Sequence, residues 1–152
     1  MSQPSLPMSH IEKSAVIHCT PATAWESISR RENAPLIVPG LVRVWNIQPA
    51  EAGLGQTWQF EFKLLGLVMP GNARMTAFDA GRQLQFQTSN SVESRWTYSV
   101  APEGAHARVT VAVDYTLPDT LWGRIKDRLA VSRIHESQIE EILVNLAVKL
   151  GA

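Results

Sequence analysis

The chain has 152 residues, 45% of them apolar and only 18% charged, and its 14 basic and 14 acidic side chains cancel at neutral pH. That balance argues against a nucleic-acid partner, which needs a basic surplus, and no apolar run reaches the roughly twenty residues of a membrane span. The length suits one domain with a proper core, and the single cysteine, Cys19, leaves no internal disulfide and fits a reducing, cytoplasmic setting.

Residues 1–10 are polar and proline-containing, without a basic stretch or an apolar centre, so they are expected to form a loose tail and not a signal peptide. The domain then runs over residues 11–152. Ile11 to Cys19 reads as a first strand, with Ala15, Ile17 and Cys19 on one face and Val16 and His18 on the other. Thr20-Pro21 starts a short helix, with Thr20 as cap, Pro21 in the first turn and Trp25 and Ile28 turned inward. A second short helix or turn covers Glu32 to Val38 and is broken by Pro39-Gly40. Five or six strands follow: Leu41 to Ile47, Thr57 to Leu65, Asn72 to Asp79 after the punctuation of Pro70-Gly71, Leu84 to Thr88, Glu93 to Val100 and Arg108 to Leu117. The stretch Thr57 to Leu65 alternates cleanly, Trp58, Phe60, Phe62 and Leu64 against Gln59, Glu61 and Lys63, the pattern of an antiparallel strand with one dry face.

The last third, Pro118 to Leu150, reads as one long helix capped by Asp119. Leu121, Trp122, Ile125, Leu129, Ile139, Ile142, Leu143, Leu146 and Leu150 recur mostly at three- and four-residue steps, and charged residues occupy the opposite face. At 1.5 Å per residue, such a helix of about thirty residues spans roughly 45 Å. Its stripe needs a sheet to lie on. Strands segregated from helices give an α+β architecture.

This order and its local motifs resemble the START/Bet v 1-like (SRPBCC) helix-grip superfamily, and within it the polyketide cyclase/dehydrase and lipid-transport-like proteins. The matching pieces are VIHCTPATAWESIS, LIVPGLVRV, GLGQTW, MTAFDAGRQLQFQ, RWTYSVAPEGAHARVTVAV and the helical carboxyl end, so the likeness spans Ile11 to Leu150. One departure is Ala107-Arg108, where many relatives carry Gly-Thr; it touches a turn. The resemblance implies a seven-stranded antiparallel sheet curved around the C-terminal helix, two short helices after the first strand, and a cavity between sheet and helix. It implies no single reaction, since the superfamily hosts ligand carriers, hormone receptors, cyclases, dioxygenase domains and co-chaperones.

Alternation places Trp58, Phe60, Phe62, Met75, Phe86, Trp96, Tyr98, Val111, Val113 and Tyr115 on the inner face, opposite Trp122, Ile125, Leu129, His135, Ile139, Ile142 and Leu146. Aromatics facing a long helix either pack solid or leave a gap for an apolar ligand. Acid/base candidates are sparse. His135 sits near the apolar stripe, Tyr98 offers a hydroxyl, and the face of Arg74 is left open by its strand. Glu61, Lys63, Glu93, Arg95 and Asp114 fall on polar faces, and Arg30, Arg31 and Glu32 read as solvated surface. No metal is expected, because His10, His18, His106 and His135 are scattered, and no phosphate-loop or dinucleotide motif points to a cofactor.

Three readings follow. The first is a protein that binds or transports a small hydrophobic molecule, such as a lipid, polyketide or isoprenoid. The second is a polyketide cyclase, aromatase or dehydratase working through His135, Tyr98 and Arg74. The third is an interaction module acting through its surface. Oligomeric state stays open.

Overall fold

Strand β1 (Ser9–Ile17) begins inside the stretch expected as tail, because Ser9 to Ile17 pair antiparallel with Tyr115 to Ala107. The computed structural model describes residues 9–64, 66–89, 93–116 and 128–151. Helix α1 (Pro21–Ser29) starts as its sequence dictates, with Pro21 in the first turn and the Thr20 hydroxyl accepting from the Thr23 amide at 3.2 Å. A single 3-10 turn (Arg31–Asn33) leads into α2 (Ala34–Ile37), together occupying the expected second helical segment.

Six strands follow, β2 (Leu41–Gln48), β3 (Thr57–Leu64), β4 (Leu67–Asp79), β5 (Gln83–Ser89), β6 (Glu93–Glu103) and β7 (His106–Thr116). With β1 they make one seven-stranded antiparallel sheet in the order β1-β7-β6-β5-β4-β3-β2, open at β1 and β2. Pro70-Gly71 does not interrupt β4 as the sequence led us to expect. Before Asn72, β4 has no β5 partner among the described residues and pairs only with β3, so Pro70 sits where its missing N–H is tolerated. Register shifts between Leu41 and Arg43, Trp45 and Gln48, and Met75 and Ala77 are bulges that bend the strands.

Helix α3 (Arg128–Leu150) packs against β1 and β7 and against both short helices. Ile139, Ile142 and Leu146 are fully buried in one core with Ile17, Ile28, Met75, Leu84, Val109, Val111 and Val113. Asp119, Leu121, Trp122 and Ile125 lie outside the described residues. Burying these aliphatic side chains contributes about 1.5–3 kcal/mol each, which is what holds the stripe to the sheet. The helix ends at Gly151 (φ 126°), whose carbonyl accepts from the His18 amide at 3.3 Å. A sheet gripping a carboxyl-terminal helix, with two short helices after the first strand, is the helix-grip fold. No helix among the described residues is long and apolar enough to cross a membrane.

Candidate functional site

Alternation on β3, β5 and β6 turns Trp58, Phe60, Phe62, Phe86, Trp96 and Tyr98 to one side, where they line a pocket of about 80 Å³. Ala34, Val38 and Leu41 close it from the α2–β2 segment, and His135 and Gln138 from α3. The rings form a connected set. Trp58 meets Phe86 edge-on at 5.1 Å between centroids, Phe86 stacks on Tyr98 at 6.1 Å, and Tyr98 on Trp96 at 6.4 Å. At the rim, the Trp96 indole donates to Ser94 Oγ at 3.0 Å, and Ser94 and Thr88 share a 2.6 Å hydroxyl contact.

The only lysine or arginine among the described lining residues is Arg31, at 4% exposure. Its Nη2 donates to the Ile28 carbonyl, and its Cζ stands 5.3 Å from the Trp58 ring centroid and 5.1 Å from that of Phe86. Nε has no hydrogen-bond partner among the described residues. No aspartate or glutamate appears in the described lining. Burial pushes the guanidinium pKa down, against the opposing pull of Tyr98 and Glu32. Burial likewise pushes the Tyr98 hydroxyl up to about 12, with the Arg31 charge working the other way, so this phenol is a neutral donor at physiological pH.

His135, 5% exposed, stacks on Tyr115 with centroids 3.8 Å apart and planes within 9°. Of the other expected inner-face residues, Met75, Val111, Val113, Tyr115, Ile139 and Ile142 are buried in the core behind the pocket and do not line it. Trp122 and Ile125 lie outside the described residues, as does the side chain of Leu129. Arg74, whose face the sequence left open, is exposed on the other face of β4, in a polar groove with Asn46, Asn72 and Gln87, and does not line the aromatic pocket. Gly71, Ala73 and Met75 take the inward positions, and the bulge after Met75 resets the alternation so that Phe78 packs on the core. His18 and His106 come together as an exposed stacked pair at 4.6 Å, away from the pocket. Among the described residues, no three His, Cys, Asp or Glu side chains converge as metal ligands would.

The model of a family described as "Polyketide cyclase / dehydrase and lipid transport" matches residues 8–151. The chain belongs to that family. Its helix-grip fold is shared with solved START-type and latex-type proteins. Among solved structures it is similar to the Zhui aromatase/cyclase of Streptomyces sp. R1128, with 16% identity, 94% of this chain and 93% of that one covered, and a TM-score of 0.77. A START superfamily protein of Mycobacterium smegmatis gives 11% identity, 93% and 96% coverage and 0.76. The major latex-like protein 151 of Panax ginseng gives 14%, 95% and 98%, and 0.68. At such identities the likeness carries the fold alone. No curated protein sequence matches the chain significantly.

Within this member of the polyketide cyclase/dehydrase and lipid-transport family, two α3 amides hold the wall of the pocket. Gln138 Nε2 donates to the Pro39 carbonyl at 3.2 Å and Asn145 Nδ2 to that of Ile37 at 2.9 Å. Arg31 is the pocket-lining residue that the sequence reading missed, having assigned it to the solvated surface. The signal was available: Arg31 continues the inward step of Ala24 and Ile28, both fully buried, into the turn after α1.

Proposed function

We propose that the chain binds a small, largely apolar molecule in the pocket between the sheet, the α2–β2 segment and α3. The observation that carries this reading is the cluster of six aromatic side chains around a space they leave unfilled. Well-packed interiors rarely keep such a gap. The volume of about 80 Å³ favours a compact molecule, or one end of a longer one, over an enclosed lipid, since sites for drug-sized ligands usually span about 300–1,000 Å³. Native mass spectrometry after incubation with a mixed apolar extract tests the reading. The wild type retains a small molecule and Leu41→Trp, which fills the pocket, releases it. Empty wild-type protein, or undiminished retention by Leu41→Trp, overturns it.

A second reading, cyclisation or dehydration of a polyketide-like substrate, is favoured by the presence of His135 and Tyr98 in the same lining. In it, Tyr98 donates a hydrogen bond to a substrate carbonyl and His135 moves the proton. Arg74 has no part in it, being on the opposite face. Turnover of a poly-β-ketone substrate analogue is expected to fall in His135→Ala and Tyr98→Phe. Unchanged turnover in both refutes the assignment.

A further inference from the structure

An aromatic pocket that had only to be filled would not contain a guanidinium. Arg31 is nine-tenths buried, its Nε lacks a partner among the described residues, and no described ion pair involves it. The Trp58 and Phe86 rings attract the cation but offer no lone pair to its N–H groups. The Ile28 carbonyl accepts from one N–H group, and the neighbouring Glu32 acts only through space, without a described ion pair to the guanidinium. We propose, resting on the reading of the pocket as a binding site, that its ligand is a compact aryl or alkyl monocarboxylate whose anionic oxygens accept from Arg31.

Three observations narrow the class. A buried cation without a carboxylate partner is strongly unfavourable and is relieved by an anion, whereas a neutral carbonyl would satisfy an N–H and leave the charge. Arg31 is the one permanently charged cation among the described lining residues and matches one negative charge, so a dianionic phosphate would bury a surplus charge in an aromatic lining. The remaining polar lining agrees: the Tyr98 hydroxyl stays protonated, Thr88, Ser94, His135 and Gln138 bring no negative charge, and no acidic side chain among the described lining residues repels an anion. The apolar part of the acid then meets Phe60, Phe86 and Trp96.

Benzoate and benzamide, which share shape and differ in charge, separate the possibilities at neutral pH by calorimetry, or by fluorescence of Trp58 and Trp96. The wild type is expected to bind benzoate at least about tenfold more tightly than benzamide, the order of a charge-assisted over a neutral hydrogen bond. Arg31→Met abolishes that preference while benzamide binding persists, and Arg31→Lys retains part of it. Equal binding of the two compounds by the wild type overturns the carboxylate inference and leaves the pocket reading standing. Binding of neither, by protein with a native circular dichroism spectrum, overturns both. A preference that survives in Arg31→Met removes Arg31 as the anchor. The wild-type comparison decides the matter even where a variant does not fold.

Discussion

Replacing Arg31 by methionine should make the ligand-free protein more stable while removing its anion selectivity. The side chain is buried at 4% exposure, and among the described residues its Nε has no partner and no carboxylate forms an ion pair with it, Glu32 acting only through space. Methionine gives up two ring contacts worth about 1–2 kcal/mol together and a charge-assisted bond to the Ile28 carbonyl worth about 1.5–3 kcal/mol. It recovers a desolvation penalty of several kcal/mol for the charge and about 1–3 kcal/mol for the unpaired N–H. The flexible thioether fills a similar volume, so no large cavity is left. The balance is a gain of about 1–3 kcal/mol, which for a domain of this size raises Tm by roughly 2–4 °C per kcal/mol. Thermal and urea unfolding followed by far-ultraviolet circular dichroism at neutral pH, without ligand, measures it. A loss of about 1 kcal/mol or more would show that the guanidinium is a structural anchor and would refute the reasoning from an uncompensated buried charge. Arg31→Ala is not an equivalent test, because it also opens a cavity.

Gly71 faces Phe60 across β3 and β4, and a Cβ there would stand 2.3 Å from Phe60 Cζ; Gly71→Ala should drive that ring into the pocket, cost about 1–3 kcal/mol and weaken benzoate binding, and an unchanged urea midpoint with unchanged binding would contradict this. Tyr98 carries a pKa raised to about 12 by burial, so its contribution is complete below the unfolded value near 10 and is lost as pH rises toward about 12. Tyr98→Phe should therefore flatten the fall in stability over that window, and parallel curves for the two proteins would refute the assignment. Partial burial works to raise the Asp114 pKa, but the His10 contact at 2.6 Å and the Arg95 bond at 3.2 Å outweigh it and hold the carboxyl below its ordinary value. A depressed carboxyl stabilises the fold above its unfolded pKa near 4 and loses that contribution as pH falls through the folded value. Asp114→Asn should show a shallower acid limb below about pH 4, and superimposable curves would count against the pairing.

The sheet and its helix were legible because two periodicities carry them. Trp58, Phe60 and Phe62 alternate on β3, and Ile139, Ile142 and Leu146 step along α3, so each element announces its buried face. Where the period breaks, the sequence misleads. The bulge after Met75 left the face of Arg74 undecided, and Pro70 looked like a strand end because the length of β5, which decides whether that N–H is needed, is not local information. Only part of the expected inner face lines the pocket. Whether a buried side chain touches empty space or another side chain depends on the depth of the curve, so Val111 and Ile142 could not be told from Phe86 by pattern. Arg31 was hidden by residue type: charge argued for the surface, and only its helical phase with Ile28 argued for the interior.

The strand order has a further effect, on the timing of assembly. From β2 to β6 each strand pairs with its sequence neighbour, so these hairpins can zip as they leave the ribosome. β1 cannot, since its partner is β7 and its cover is α3, both made last. Until then its edge stays available to other chains, which makes the first strand the place where an interrupted or slowed synthesis would begin to aggregate.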